Sequence, residues 1–144
     1  MQLKQKTSDF VACYQTPNVN EFIALRNQVG WTSPRADVVA TSLANSLFIV
    51  SVYQQTRLVA SGRVVGDKAM FFYIQDVIVL PELQGFGLGQ RIMDEIERYL
   101  ADVVTSGATV GLMAAQGKEG FYRKYHYLER TGEPLGLGMC KFIP

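Results

Sequence analysis

Three glycines separate an apolar strand from an amphipathic helix in the segment QDVIVLPELQGFGLGQRIMDEIERYL. The apolar stretch ends at Val79, Gly85, Gly87 and Gly89 follow, and apolar side chains then recur at helical spacing. Glycine costs conformational entropy, so this density indicates a loop with unusual dihedral angles or a close approach to its backbone. The first amides of a helix point outward unbonded and carry partial positive charge. The segment therefore predicts an anion site, most simply for a phosphate.

Length and charge restrict the remaining possibilities. With 144 residues, 48% of them hydrophobic, the chain can bury one core and is too short for two. The formal net charge is +1, so no overall field recruits nucleic acid or a membrane surface, and we expect neither as a partner. An anion must therefore be bound by a local arrangement of groups.

The termini and cysteines predict an ordinary intracellular chain. No apolar run approaches the roughly 20 residues of a membrane span, and the start MQLKQKTSDF lacks the apolar core of a signal peptide, so we expect a cytoplasmic location. Cys13 and Cys140 are isolated, and we expect both to be buried, without a disulfide. No metal is expected.

The predicted elements follow the order β-α-α-β-β-β-α-β-α-β. DFVACYQ is the first strand, and two helices cover TPNVNEFIALRNQVG and TSPRADVVATSLANS, the second with Ser33 as N-cap and Pro34 in its first turn. LFIVSVY, RLVASGRVV and FFYIQDVIVL form antiparallel hairpins. ATVGLMAA runs parallel to the last of these, because a helix crosses between them. KEGFYRKYHY is a short helix, GLGMCKFI a final strand, and LERT a further candidate strand.

Other phosphate-binding motifs fit the glycine loop poorly. A Walker A loop needs lysine and then serine or threonine after its last glycine, where this chain has Gln90 and Arg91. A dinucleotide fingerprint needs glycine at position 90 and a first βαβ unit, whereas the preceding strands are predicted hairpins. A nucleotide-binding domain is therefore disfavoured. Glycines that serve only helix packing remain the structural alternative.

QGFGLG resembles the Q/R-x-x-G-x-G/A loop of the GNAT superfamily of acyl-CoA-dependent N-acyltransferases, with Gln84, Gly87 and Gly89 in the defining places. DVIVLPELQGFGLG is similar to that family's fourth strand, loop and third helix, and the likeness covers nearly the whole chain. It implies a single α/β (α+β) domain over residues 1–144. The implied architecture is a mixed, mainly antiparallel central sheet of six to seven strands flanked by about four helices.

The resemblance implies acetyl-CoA (coenzyme A) as the acetyl donor. In the family, the pyrophosphate lies on the backbone amides of the glycine loop, and the pantetheine arm lies beside the fourth strand like an added strand. This arrangement requires the fourth and fifth strands to splay apart, usually through a bulge. The cofactor-binding residues it implies here are Val77, Ile78, Val79, Gln84, Gly85, Phe86, Gly87, Leu88, Gly89, Gln90, Lys118 and Tyr122.

Acylation of an amine by a thioester needs a neutral amine, a polarised carbonyl and a proton for the leaving thiolate. An alkyl ammonium, with a pKa near ~10.4, must lose a proton before it attacks. A tyrosine, with a pKa near ~10, is neutral at pH 7 and can donate to the thiolate. The resemblance assigns this general-acid role to Tyr122, with core packing as the alternative. It assigns polarisation of the carbonyl to the Val77 amide.

The general base and the acceptor pocket have candidate residues in or next to the first two helices and in the fourth strand. Asp76 lies in an apolar and aromatic strand, where an unpaired carboxylate would be costly, so it is either hydrogen-bonded for structure or the general base. The family's acceptor pocket is built from the first two helices and the fourth strand. The pocket residues that this implies are Trp31, Arg35, Asn45, Tyr73 and Gln75. His126 replaces a glycine found in many relatives, and histidine tolerates the left-handed conformation of such a turn.

The resemblance implies an N-acetyltransferase that moves an acetyl group from acetyl-CoA to a primary amine of a small molecule or protein, by direct attack in a ternary complex. A covalent route is disfavoured because Cys13 and Cys140 lie outside the matching motifs. A non-catalytic acyl-CoA binding or sensing module stays open, and it would be indifferent to Tyr122. A homodimer formed through the last strands or through exposed apolar surface is a further expectation.

Overall fold

The computed structural model describes residues 9–144. A 3₁₀ turn, Pro81–Leu83, precedes the third helix. The described residues form two compact units, which divide between Leu112 and Met113. The elements in chain order are β1 Phe10–Cys13, α1 Val19–Gln28, α2 Ala36–Ala44, β2 Phe48–Gln54, β3 Arg57–Gly66, β4 Phe71–Val79, α3 Leu88–Val103, β5 Thr109–Leu112 and α4 Glu119–Arg123.

The first unit contains one sheet in the order β1-β2-β3-β4-β5. The first four strands pair antiparallel, and β4 pairs with β5 in parallel. The parallel pair is the one joined by α3, as a helical crossover requires. The predicted mixed, mainly antiparallel sheet with four α-helices is therefore confirmed.

Helices cover both faces of this sheet. A Cβ placed on Gly62 of β3 would lie 2.4 Å from Ile92 Cγ2, so α3 packs directly on the strand backbone there. The next residue, Arg63, points to the opposite face, as alternate strand residues must, and donates hydrogen bonds to Ser42 of α2. The helix α1 packs against α2, β3 and β4. The first unit is therefore a helix-sheet-helix sandwich.

Local sequence explains where the helices begin. The Asn18 side chain accepts hydrogen bonds from the amides of Asn20 and Glu21, which confirms an Asx residue as the N-cap of α1. The predicted start of α2 is wrong. Its N-cap is Arg35, and the Ser33 hydroxyl instead accepts a hydrogen bond from Arg26 Nε at 2.8 Å.

The amphipathic helix α3 supplies much of the core of the first unit. Each apolar side chain of this size contributes roughly 1.5–3 kcal/mol when buried. The buried residues of α3 are Leu88, Ile92, Met93, Ile96 and Leu100.

None of the helices in residues 9–144 combines the length and apolarity needed to cross a membrane.

The second unit corrects the predicted strand count. Residues 113–144 contain α4 and no strand, so the described sheet has five strands instead of six or seven. GLGMCKFI and LERT therefore form no strands. Met139 and Phe142 are each 88% exposed, and a strand needs a hydrogen-bonding partner to persist. The cysteine prediction is also wrong, since Cys140 is exposed and Cys13 is partly exposed.

Candidate active site

A β-bulge in β4 shapes the centre of the site. On β3, Ser61 pairs with Ile78 and Arg63 pairs with Gln75, so two steps along β3 correspond to three along β4. Asp76 lies in the extra step with a φ of 56°, a left-handed conformation that aspartate tolerates better than most residues. Because of the bulge, the side chains of Gln75 and Asp76 both line one cavity.

The edge of β4 beyond the bulge is open on its β5 side. Within the part of the chain that the structure describes, β5 pairs with β4 only as far as Ile74, opposite Leu112. The Leu80 amide donates to Val59 O at 2.9 Å, so the alternation of an antiparallel ladder turns the N–H and C=O of Val79 away from β3. The Gln84 side chain reaches this edge and donates to Val79 O at 3.2 Å. An extended ligand could pair along this edge.

The glycine loop leads from this edge to the start of α3. Gly85 and Gly87 have φ angles of +88° and +81°, in the region that favours glycine. Gly87 is the N-cap of α3, and no side chain within residues 9–144 caps that helix. A Cβ on either glycine would meet no atom of the described residues within 4 Å, so they leave space open in front of the loop. The loop therefore offers backbone amides and open space to an anion.

Asp76 is buried between two arginines. Its side chain is 2% exposed, and its two oxygens accept hydrogen bonds from Arg26 Nη1 and, at 2.9 Å, from Arg63 Nε. Arg63 is held further by the Ser42 carbonyl and by the hydroxyls of Ser42 and Ser46. Of the two roles open to Asp76, this pairing matches the structural one, because both oxygens are already engaged by cations.

The three charged side chains line a cavity of about 260 Å³ between α1, α2 and β4. Its walls otherwise combine apolar side chains with two neutral polar ones. This composition is typical of a small-molecule pocket, in which a few polar groups orient the ligand. The lining residues are Phe22, Arg26, Pro34, Val39, Ser42, Leu43, Arg63, Gln75 and Asp76.

Some of the residues expected in the acceptor pocket lie at this cavity, and the others lie elsewhere. Gln75 lines the cavity, and the Trp31 ring lies 5.6 Å from the Arg26 guanidinium that also lines it. Tyr73 is not among the lining residues. Arg35 is exposed and pairs with Asp37, while Asn45 ends α2 and donates to Thr41 O.

Sequence reasoning missed Arg26 and Arg63. A signal for Arg63 is present in RLVASGRVV, where a charged residue stands in an apolar strand just as Asp76 does in the next one. Two opposite charges in adjacent apolar strands indicate a buried ion pair, because each alone would be costly. Arg26 gives a weaker signal, since a lysine or arginine in a last helical turn is common.

The second unit carries Tyr122 and Lys118. Burial raises the pKa of Tyr122 above its ordinary value, so its hydroxyl keeps its proton at neutral pH. Its ring makes edge contacts with Phe121 and Tyr127. Lys118 is the N-cap residue of α4. His126 has a φ of 70°, which confirms the left-handed turn predicted after this helix.

Within residues 9–144, no group of three or more histidine, cysteine, aspartate or glutamate residues is arranged to hold a metal ion.

Comparisons with known proteins agree with this geometry. The family described as Acetyltransferase (GNAT) domain matches residues 10–144. The uncharacterised N-acetyltransferase ycf52 of Porphyra purpurea is 32% identical over 85% of this chain and 72% of its own length. A ycf52-like protein of Prochlorococcus marinus is 34% identical over 89% of this chain and 70% of its own. A probable acetyltransferase of Staphylococcus aureus has the same fold, with a TM-score of 0.86 and 30% identity over 93% of this chain and 99% of that one.

Proposed function

The chain belongs to the GNAT acetyltransferase family, and on that premise we propose that it is an N-acetyltransferase that uses acetyl-CoA. The acceptor is a primary amine of a small molecule or a protein, and it attacks directly in a ternary complex. The observation that carries the proposal is the glycine loop, which presents an uncapped helix N-terminus and open space at the end of a free strand edge.

The residues present fit coenzyme A. The amides from Gln84 to Gln90 would hold its pyrophosphate, because the left-handed glycines leave room for an anion against the backbone. The backbone groups of Val77 and Val79 would hold its pantetheine arm, as an added strand beside β4, while Ile78 between them pairs with Ser61 of β3. Lys118 would add a positive charge for a phosphate. The bound cofactor supplies the thioester carbonyl that the amine attacks.

The chain's own groups would then serve the transfer. The Val77 amide follows the bulge, and we assign it to the carbonyl oxygen as a hydrogen-bond donor. Tyr122 holds the proton for the leaving thiolate, because a tyrosine hydroxyl is protonated at neutral pH; burial raises the pKa of Tyr122 further above that range. Direct base catalysis by Asp76 would require its ion pairs to open, so we assign Asp76 to holding Arg26 and Arg63. The acceptor ammonium would give its proton to water before the neutral amine attacks.

The proposed acceptors include amines of both small molecules and proteins. One relative is named a serotonin N-acetyltransferase and another a histone acetyltransferase, so both small-molecule and protein amines are retained. The alternative to catalysis is an acyl-CoA sensing module, which would bind the cofactor and release no thiol.

The test is acetyl-CoA binding by calorimetry, with ATP and NAD as controls, followed by thiol release over a panel of primary amines. We expect acetyl-CoA to bind and the controls not to, and we expect thiol release that depends on the amine. Binding without release for any amine would favour the sensor. Absence of acetyl-CoA binding would contradict the proposal and leave the glycines as a packing device for α3.

A further inference from the structure

The cavity between α1, α2 and β4 carries an uncompensated positive charge. Its charged lining residues are two arginines and one aspartate, which sum to +1. Asp76 is shared between both guanidinium groups, so within residues 9–144 neither arginine has a carboxylate of its own. A largely buried cation that shares its counter-ion with a second cation is unfavourable. A second anion in the cavity would lower this electrostatic cost.

Arg26 is the arginine with donors to spare. In the described part of the chain, its three nitrogens make one hydrogen bond each, to Ser33, Asp76 and Thr32. A guanidinium carries five N–H donors, and both terminal nitrogens have a second one. Arg63 is more fully engaged, with four hydrogen bonds and a side chain only 9% exposed, whereas that of Arg26 is 18% exposed.

The surroundings hold Arg26 in place for a ligand. The Trp31 ring covers one side of its guanidinium at 5.6 Å, and hydrogen bonds to Ser33 and Thr32 restrain the group. A planar guanidinium fixed in this way binds an oxyanion with little further loss of entropy. The apolar wall formed by Phe22, Val39 and Leu43 limits competition from water.

We propose that the acceptor amine of this chain carries an oxyanion, a carboxylate or a phosphate, which binds in the cavity at Arg26. The inference rests on the proposed function, because it assigns the cavity to the acceptor of that reaction. It also excludes a class of acceptors. A diamine or polyamine would bring a second positive charge to a cavity that already has one in excess, and like charges at short range repel.

The first experiment compares acceptors that share a four-carbon chain: 4-aminobutyrate, n-butylamine and putrescine, with O-phosphoethanolamine against ethanolamine as the phosphate pair. n-Butylamine and ethanolamine lack the anion and so lose one charge-assisted interaction. We therefore expect kcat/KM to be roughly 10- to 100-fold higher for 4-aminobutyrate than for n-butylamine, or for O-phosphoethanolamine than for ethanolamine. We expect Arg26→Gln to remove this preference. Arg98→Gln, which removes an exposed arginine of α3, should retain it. Equal rates within both pairs, or a preference for putrescine, would overturn the inference.

The second experiment does not depend on turnover. Trp31 is the sole tryptophan of the chain and lies against Arg26, so its fluorescence reports on the cavity. We expect a saturable change with 4-acetamidobutyrate or acetylated O-phosphoethanolamine and none with N-butylacetamide, and we expect Arg26→Gln to lose it. No response to either acid would overturn the inference even if acetyl-CoA binds, whereas a response without acetyl-CoA binding would contradict only the proposed function. Should Arg26→Gln fail to fold, Arg26→Lys, which cannot donate from a planar fork, must weaken the change.

Discussion

Gly87 meets two requirements at one position. It ends the loop in a left-handed conformation, with a φ of +81°, and its missing side chain leaves the N-terminus of α3 open. Any other residue would pay roughly 1–2 kcal/mol for that conformation. The cost of strain and the cost to an anion can be separated by two variants of nearly equal size.

We expect Gly87→Glu to abolish acetyl-CoA binding, because a carboxylate would stand where the pyrophosphate is proposed to lie. The Gly87→Gln variant has the same backbone strain and nearly the same side-chain size as Gly87→Glu but no charge. It should therefore bind acetyl-CoA measurably better than Gly87→Glu does. Calorimetry on both proteins, after circular dichroism shows that they fold, makes the comparison. Equal binding by the two variants would argue against an anion at this loop.

Tyr122 is the residue whose chemistry is proposed most specifically. We expect Tyr122→Phe to lower kcat by about 10²- to 10⁴-fold, the usual range for a general acid, with little change in acetyl-CoA affinity. Since burial raises the pKa of Tyr122, the protonated donor should persist through the alkaline range up to and beyond about pH 10. Steady-state rates across pH check both points. An unchanged kcat would assign the proton elsewhere.

The ion pairs of Asp76 can be tested by measuring the free energy of unfolding of the protein, without an activity assay. Asp76→Asn leaves two arginines in a buried site without a counter-charge, and loss of one partner from a buried ion pair costs about 3–5 kcal/mol. Asp37→Asn, which opens the exposed pair with Arg35, should cost about 1 kcal/mol or less. Urea unfolding measures both free energies. Similar values for the two variants would contradict the structural role of Asp76.

At the scale of elements, the sequence predicted most of the first unit because its patterns are local. Three signals each depend on a few neighbouring residues: the apolar spacing of α3, the Asx cap of α1 and the β-branched and aromatic composition of β2–β4. The bulge in β4 depends instead on register with β3, and no residue type in QDVIV fixes it. The same holds for the Ser33 hydroxyl, whose partner Arg26 lies on another element.

Gly62 shows how closely two elements approach. Gly62→Ala would place a Cβ 2.4 Å from Ile92 Cγ2, and such overpacking costs about 1–3 kcal/mol. Gly111→Ala in β5 is the matched control, because its Cβ would meet no atom within 4 Å, and it should be neutral or slightly stabilising. Thermal unfolding of the two proteins distinguishes them. Equal melting temperatures would mean that α3 shifts to accommodate the methyl group.

At the scale of the whole molecule, the C-terminal segment is apolar and exposed. Its sequence pattern predicted a strand, but strand formation needs a partner, which sequence alone cannot supply. Large apolar side chains collected on an exposed segment are typical of an association surface. The exposed side chains are Leu128, Leu135, Leu137, Met139, Phe142 and Ile143.

The predicted homodimer is testable at this segment. We expect the chain to self-associate in sedimentation velocity as its concentration rises. Met139→Ser should raise the dissociation constant roughly tenfold or more, because a buried methionine contributes about 1.5–3 kcal/mol. Met70→Ser, at another exposed methionine, in the first unit, should leave association unchanged. A monomer at every concentration would contradict the dimer.

The extra residue in β4 also bears on how this chain tolerates changes of length. Removing Asp76 would let Val77 pair with Gly62, and the ladder from Arg63–Gln75 to Ser61–Ile78 would become continuous. The strand would keep its hydrogen bonds, yet Arg26 and Arg63 would lose their shared carboxylate. Among sequences of this fold, a one-residue gap at position 76 would therefore mark chains that keep the sheet and lack the shared carboxylate.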